Sequence, residues 1–399
     1  VEDRQHHPEA VRPGPVVTRL HDPLHFPFMP VLDLTEILIG DQLRLTDACS
    51  AIAAEELLYL DTEFVRTTQF SPRLCLTQIA AGNRVFCVDE LADMDTGPLC
   101  GLLSSGRGLR IVHAAKQDME VAWVRHKCLP NPLFDTQIAA ALVGQPAQVG
   151  YAGLVKALLD IDVDKTHTRA DWSLRPLGPE LIHYAASDVV HLPVVYGLLR
   201  EQLERLGRYE WAVEDSARLV DPALYIVNPD EAWRRLAGIP RLPVPAQLRA
   251  RRLARWREES ALRTDRPRQW ILSDKSLLDI AMRRPRTEAE LAGCAEVAPG
   301  TAKRQGEAIL GELEAAAREY ESGTDLVQES RPELVDPDQL KRLGKVVEDA
   351  AKSLGLAPEI LATRKDLTAA IRGEQNLRPL SGWRRTVIGE PLLAAVSAL

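Results

Sequence analysis

The stretch Leu57-Leu58-Tyr59-Leu60-Asp61-Thr62-Glu63-Phe64-Val65 is a hydrophobic run that ends in two carboxylates two residues apart. In a strand, successive side chains alternate between faces, so Asp61 and Glu63 share one face and the apolar neighbours lie on the other. Two anions beside a core repel each other and resist desolvation. A divalent cation between them removes that tension, because Mg²⁺ and Mn²⁺ prefer oxygen ligands. The sequence therefore predicts a metal site on this strand.

Composition sets the class of protein. A chain of 399 residues is long enough for two or three domains, and its net charge of −8 means that any nucleic-acid surface must be a local basic patch. The six cysteines are scattered without a CxxC pair, which argues against a structural zinc site or a disulfide framework. No apolar run reaches the ~18 residues of a membrane span, and no secretory h-region is present. We therefore expect a cytoplasmic protein.

The chain divides into four segments by pattern. Residues 1–34 are rich in proline and lack periodicity, so we expect a poorly ordered N-terminal extension. Residues 35–222 begin with an antiparallel hairpin and then alternate strands with helices, which predicts a mixed sheet flanked by helices. After residue 228 strand signals vanish, and a polar, proline-bearing linker separates two small helical units at 228–320 and 335–399.

Within the α/β segment the elements can be placed individually. The predicted strands are 57–65, 73–81, 84–88 and 110–114. The predicted helices are 46–56, 116–125, a helix that follows 133–134 and runs to 143, 150–159, and 179–206 with an interruption at Pro193.

Two further acids occupy unusual places. Positions 181, 185, 188, 192, 195 and 199 follow the spacing of a buried helical stripe, and Asp188 alone among them is polar. An acid in a core-facing position must be paired or bound to a metal. Tyr184 lies one turn earlier on the same face, so its hydroxyl can reach what Asp188 holds. Asp118 stands in the first turn of a helix just past a strand end, where α/β sites form.

Each signal has a simpler interpretation when it is taken alone. Asp118 is favourable at a helix N-terminus, and the two strand carboxylates are compatible with a solvated strand end. Asp188 could pair with a buried histidine or arginine, Tyr184 could be a core tyrosine, and Asp135 could be a helix N-cap. The four acidic signals in this order and at these separations are far more specific than any one of them.

Taken together, these motifs resemble the DEDD 3′–5′ exonucleases that carry a tyrosine in the third motif and, within that subgroup, the ribonuclease D family. The three motifs are matched by residues 61–67, by His113-Ala114 with Asp118, and by residues 184–189. Further matches are residues 134–137, 169–172, 175–177 and 381–384. The resemblance covers about residues 38–399, and both helical units are similar to HRDC (helicase and RNase D C-terminal) domains.

This resemblance implies a ribonuclease H-like α/β exonuclease domain followed by two small all-α HRDC-like domains. It implies two divalent metal ions, Mg²⁺ or Mn²⁺, held by Asp61, Glu63, Asp118 and Asp188. Tyr184 would orient the attacking water, and nucleoside 5′-monophosphates would leave from the 3′ end. The residues expected to bind substrate are His113, Arg169, Trp172 and Tyr184. For Trp172 and Arg169, plain packing is the alternative.

The expected partner is RNA with a free 3′ end, tRNA precursors in particular, with no membrane and no obligate protein partner. Residues 249–286 contain twelve Arg or Lys against five Asp or Glu, a net +7, with Trp256 and Trp270 interleaved. Such a segment can neutralise phosphates, although a solvated basic helix with its tryptophans in the core is the alternative. Other interpretations of the whole chain are a 3′–5′ DNA exonuclease and a catalytically inactive RNA-binding protein.

Overall fold

Residues 33–323 and 335–398 are described in a computed structural model, with side chains from residue 37 onward. The predicted N-terminal extension therefore lies outside the described residues, apart from its last two positions, which begin the first strand. Most of the predicted linker between the helical units lies outside them as well.

A six-stranded mixed sheet forms the centre of the N-terminal part. Its strands are β1 Asp33–Ile39, β2 Leu57–Val65, β3 Arg73–Ala81, β4 Arg84–Asp89, β5 Leu109–Val112 and β6 Leu133–Asp135, in the order β1-β4-β3-β2-β5-β6. The β2–β3 and β3–β4 pairs are antiparallel, whereas β1–β4, β2–β5 and β5–β6 are parallel. The strand that carries the two carboxylates thus lies inside the sheet, between β3 and β5.

Helices cover both faces of this sheet, as the sequence predicts. They are α1 Gln42–Ile52, α2 Gly97–Leu103, α3 Lys116–His126, α4 Thr136–Leu142, α5 Tyr151–Leu159, α6 Pro179–Val190, α7 Leu192–Arg205 and α8 Tyr209–Ala217. Tyr59 of β2 belongs to a core cluster with α4 to α8, whereas Leu58 and Leu60 belong to a second cluster with α1 to α3. Because side chains alternate along β2, Tyr59 faces one helical layer, and Leu58 and Leu60 face the other.

The predicted element bounds differ from the structure in ways that local chemistry explains. Helix α1 begins four residues earlier than expected, because the Asp41 carboxylate accepts a hydrogen bond from the Arg44 backbone N–H at 3.0 Å. The predicted 179–206 helix breaks at His191, and Pro193 stands in the first turn of α7, where a missing N–H is tolerated. Strand β1 and helices α2 and α8 have no predicted counterpart.

The C-terminal part is helical. Its helices are α9 Val244–Thr264, α10 Arg268–Ile271, α11 Asp274–Arg283, α12 Glu288–Ala292, α13 Pro299–Glu321, α14 Pro337–Leu354, α15 Pro358–Leu361, α16 Arg364–Ile371, α17 Gly382–Arg384 and α18 Glu390–Ser397. The described residues after 228 contain no strand, as expected. The predicted boundaries of the two units stay a prediction.

Among the described residues, none of the helices combines the length and apolar character needed to cross a membrane.

The last helical unit packs on α8 of the α/β domain through an aromatic and ionic contact. The rings of Trp211 and Trp383 stack with centroids 4.3 Å apart, and the Trp383 backbone N–H donates to Glu214 at 3.0 Å. The buried Arg384 guanidinium donates two hydrogen bonds of 2.7 Å to the Asp215 carboxylate. A bidentate pair in a buried position fixes orientation as well as contributing energy.

The scattered cysteines argued against a disulfide framework, but the structure contains a disulfide between two of them. Cys100 in α2 and Cys128 after α3 form a disulfide, with Cα atoms 6.7 Å apart. They are 28 residues apart in sequence and carry no motif, so only the packing of α2 beside α3 brings them together. The cytoplasmic location stays a prediction.

Replacing Arg384 by alanine should lower the free energy of unfolding by about 3 kcal/mol, because Asp215 would keep only a 3.9 Å contact with Arg218 in a buried position. Urea denaturation followed by tryptophan fluorescence measures the change. The exposed pair Lys345–Asp349 supplies the control, and Lys345→Ala should cost under about 1 kcal/mol. Equal effects of the two substitutions would contradict the assigned interface.

Candidate active site

Three of the four predicted metal ligands meet between β2 and α6. Asp61 and Glu63 project from β2, Asp188 projects from α6, and one carboxylate oxygen of each lies within 4.8 Å of the others. Helix α6 packs against β2, β3 and β4 because its inner face carries small and apolar residues such as Ala185 and Val189. The pairing of strand and helix acids that the sequence predicts is therefore present in the fold.

Asp118 approaches this cluster from the opposite helical layer. It lies in the first turn of α3 and is 8% exposed. Thr62, which projects from β2 toward that layer, donates a hydrogen bond from Oγ1 to the Asp118 carboxylate at 2.5 Å. Asp118 is not within the three-carboxylate group, but its charge raises the pKa values of Asp61 and Glu63. The four acids therefore form one electrostatic unit.

Asp135 fixes the position of Asp118 and confirms the N-cap interpretation. Its carboxylate accepts a hydrogen bond from the Gln137 N–H at 2.7 Å at the start of α4. The same carboxylate accepts from the N–H groups of Ala114 and Ala115, at 3.0 and 2.9 Å, just before α3 begins. One buried side chain thus ties the ends of β5 and β6 to the helix that carries Asp118.

The four acids are held in an environment that disfavours their charge. Burial, reinforced by the charges of Asp188 and Asp118, raises the pKa of Glu63 to about 8. Burial raises the pKa values of Asp118 and Asp188 to about 7, and burial with repulsion from its neighbours raises the pKa of Asp61 well above its ordinary value. Among the described residues, none of these carboxylates forms an ion pair with Lys, Arg or His.

The cluster therefore fits a divalent cation. Converging oxygen ligands without a protein counter-charge are the donor set that Mg²⁺ and Mn²⁺ bind, and bound positive charge would return the carboxylates to their ionised form. The geometry is consistent with divalent metal binding at Asp61, Glu63 and Asp188.

Tyr184 lies beside the cluster. Burial and the charges of Asp188, Glu63 and Asp61 raise its pKa, so its hydroxyl keeps its proton near neutral pH. Thr168 Oγ1 lies 3.4 Å from that hydroxyl and links it to the loop between α5 and α6. The arrangement leaves Tyr184 as a neutral hydrogen-bond group next to three carboxylates.

A second tyrosine near the cluster has no counterpart in the sequence prediction. The Tyr151 hydroxyl, at the start of α5, donates to the Ser187 carbonyl at 3.2 Å and accepts from the His191 N–H at 3.3 Å. Burial and the charges of Asp188 and Asp61 raise its pKa. It therefore braces the helix on both sides of Asp188. No spacing in the sequence connects the two, because only the packing of α5 on α6 brings Tyr151 there.

The predicted substrate-binding residues have different surroundings. Both ring nitrogens of His113 are engaged, with Thr136 Oγ1 and the Val149 carbonyl at 3.0 Å each. Trp172 is buried with its ring 6.2 Å from that of Tyr184, which favours the packing alternative, whereas Arg169 is exposed in the loop before α6. Their roles in substrate binding stay a prediction.

The basic segment at 249–286 carries less free positive charge than its composition indicates. Six of its twelve cations form ion pairs with carboxylates of the same domain, namely Arg252, Arg255, Arg257, Arg268, Lys275 and Arg283. Trp256 is partly buried between two core clusters, whereas Trp270 is 61% exposed. Sequence composition cannot separate paired from free arginines.

Replacing Glu63 by glutamine should stabilise the metal-free protein, and the gain should grow from pH 5 to pH 8.5. A carboxyl whose pKa is raised from about 4.3 to about 8 on folding contributes stability at low pH and loses it as the pH rises through the folded value. We expect at least about 1 kcal/mol at pH 8.5. Urea unfolding in chelator at the two pH values measures it, with exposed Glu348→Gln as the control. A gain independent of pH would contradict the electrostatic assignment.

Comparison with known proteins agrees with this geometry. Residues 37–204 match a family model described as 3′–5′ exonuclease, and residues 247–313 match the HRDC domain. Ribonuclease D of Gluconacetobacter diazotrophicus is 40% identical, over 90% of this chain and 92% of that protein. Ribonuclease D of Pseudomonas paraeruginosa is 36% identical, over 90% and 97%.

A solved structure is similar over nearly the whole chain. Escherichia coli RNase D, described as an exoribonuclease involved in structured RNA processing, superposes with a TM-score of 0.85 at 26% identity, covering 92% of this chain and 99% of that one. The predicted fold class, an α/β exonuclease domain followed by a helical HRDC part, is confirmed. The chain belongs to the ribonuclease D family of 3′–5′ exoribonucleases.

Proposed function

We propose that this protein shortens RNA from the 3′ end by two-metal-ion hydrolysis, releasing nucleoside 5′-monophosphates, with tRNA precursors as substrates. The observation that carries the proposal is the approach of the Asp61, Glu63 and Asp188 carboxylates to within 4.8 Å at a half-buried site. Such a cluster is unfavourable unless it binds positive charge, and family membership makes phosphodiester hydrolysis the chemistry to expect.

The carboxylates would hold two Mg²⁺ or Mn²⁺ ions, with Asp61, Glu63 and Asp188 as direct ligands and Asp118 as the fourth acid. When bound, the ions would supply the positive charge that activates a water molecule and stabilises the leaving 3′-oxygen. Thr62 limits the orientations of Asp118, because its hydroxyl already occupies one carboxylate oxygen. The protein thereby orients the acids before any ligand binds.

Tyr184 would orient the attacking water rather than deprotonate it. Its raised pKa makes it a poor base near neutral pH, but its neutral hydroxyl can hydrogen-bond to a water placed beside the carboxylates. Thr168 supports the hydroxyl from the loop side at 3.4 Å. A fixed hydrogen bond to the nucleophile reduces the entropy lost in reaching the reactive geometry.

The preference for RNA, the tRNA substrates and a cytoplasmic location belong to the proposal through the ribonuclease D relatives, since the carboxylates themselves do not distinguish RNA from DNA. The experiment compares a 3′-extended tRNA with a matched DNA strand, both 5′-labelled, in Mg²⁺. Stepwise shortening of the RNA with 5′-monophosphate products supports the proposal. Equal or faster degradation of DNA would refute the substrate assignment.

Asp61→Asn should reduce hydrolysis of the 3′-extended tRNA by at least about 100-fold, because the metal charge that it helps to hold contributes several kcal/mol to transition-state stabilisation. Chelator should abolish the activity of the parent protein, and excess Mg²⁺ should restore it. Asp47→Asn, which changes an exposed aspartate on α1, is the matched control. Normal Mg²⁺-dependent hydrolysis by Asp61→Asn would show that the site is wrongly assigned.

Tyr184→Phe should lower kcat by roughly 10- to 150-fold, the equivalent of one hydrogen bond to a charged group, and should leave the stabilisation by Mg²⁺ unchanged. Single-turnover kinetics with saturating RNA measures the first effect, and a thermal shift with added Mg²⁺ measures the second. Tyr196→Phe is the control, since that buried hydroxyl faces Tyr209 instead of the carboxylates. Loss of the Mg²⁺ response in Tyr184→Phe would contradict a positioning role.

A further inference from the structure

Trp270 is an exposed aromatic residue on a well-anchored helix. Its side chain is 61% exposed on α10, whereas the neighbouring Ile271 packs with Phe70 and Ala261 in a small core cluster. A large apolar ring left in water forgoes a burial energy of about 1.5–3 kcal/mol. Tryptophan is enriched among the residues that contribute most to binding at interfaces.

The support beneath Trp270 is rigid. The Arg268 guanidinium donates to both oxygens of the buried Glu258 carboxylate, at 2.5 and 2.6 Å, and stacks over the Phe70 ring at 4.4 Å. These contacts hold α10 in place. A ligand that binds the indole therefore does not have to order this part of the chain, so the entropy lost on binding is smaller.

Two exposed arginines lie within seven residues of this indole in the sequence. Arg263, in the last turn of α9, and Arg266, in the turn before α10, are exposed, and neither pairs with a carboxylate among the described residues. Arg263 donates a hydrogen bond to the Ser260 hydroxyl at 3.2 Å. Three of the six cations of α9, namely Arg252, Arg255 and Arg257, pair with carboxylates, whereas the exposed Arg263 and Arg266 leave their charge available on the segment that leads into α10.

This surface adjoins the chain that leaves the catalytic strand. The Ser71 N–H donates to the Asp265 carboxylate at 2.9 Å, and Phe70 lies under Arg268. Phe70 follows Glu63 by seven residues, so the two Cα atoms are at most about 25 Å apart even in a fully extended chain. A strand of a few nucleotides can span such a separation.

We propose that Arg263, Arg266 and Trp270 form a binding surface for single-stranded RNA on the 5′ side of the nucleotide being removed. A base stacks on Trp270 and the arginines contact phosphates. This inference rests on the proposed function and names where its substrate lies.

Stacking on an aromatic ring is possible for every base, because each base has a π-face. An exonuclease has to bind a different terminal sequence after each cleavage, so a contact that tolerates any sequence is suitable. The bases of a duplex present no free face, so the ligand is single-stranded. The arginines of this surface match the charge of phosphates.

The test measures binding of a 5′-fluorescein-labelled single-stranded RNA of about 12 nucleotides by anisotropy, in an Asp61→Asn background that keeps the RNA intact. Trp270→Ala should raise Kd by roughly 5- to 150-fold, as expected for one stacked base, and Trp270→Phe should restore most of the affinity. Arg266→Ala should reduce the slope of log K against log salt by about 1. Tyr320→Ala, at another exposed aromatic residue (48%), should bind like the parent.

In the active background, Trp270→Ala should raise KM for the same RNA while kcat stays within about twofold. Binding by Trp270→Ala within twofold of the parent, or a fall in kcat with KM unchanged, would overturn the inference. An inactive parent protein whose RNA binding still depends on Trp270 would refute the proposed function instead. An active parent protein that binds RNA independently of Trp270 would refute this inference alone.

Discussion

Mutual repulsion among half-buried carboxylates is the constraint on which this structure depends. Asp61, Glu63 and Asp188 each place a carboxylate oxygen within 4.8 Å of the others, and burial raises the pKa values of all three. Repulsion from neighbouring charges raises the pKa values of Asp61 and Glu63 further. Without positive charge the cluster can relax only by taking up protons. A fold that retains such a cluster has to hold it by packing elsewhere, and the rest of the exonuclease domain provides that support.

The support comes from both sides of β2. On one side α6 packs on the sheet with Tyr151 bracing its backbone, and on the other Thr62 and Asp135 fix the start of α3 and with it Asp118. These supporting contacts are made through neutral hydroxyls and backbone N–H groups. Among the described residues, no protein cation pairs with the cluster. The helical units contact the same domain at α8 and at the loop after β2.

The sequence predicted strand β2, the mixed sheet and the positions of the acids, because patterns of period 2 and period 3.6 directly reflect burial. It missed contacts that depend on packing between distant elements. Tyr151 and the Cys100–Cys128 disulfide belong to this class, since no spacing connects the partners. The free charge of segment 249–286 could not be predicted either, because Arg252 and Arg257 meet their carboxylate partners on other helices only after folding.

If acids distant in sequence converge on a pair of divalent ions, as we propose, anomalous diffraction from a crystal soaked in Mn²⁺ will locate the ions. Two peaks among Asp61, Glu63, Asp118 and Asp188 are the predicted result. Side chains turned away from one another, with no anomalous peak between them, would contradict it.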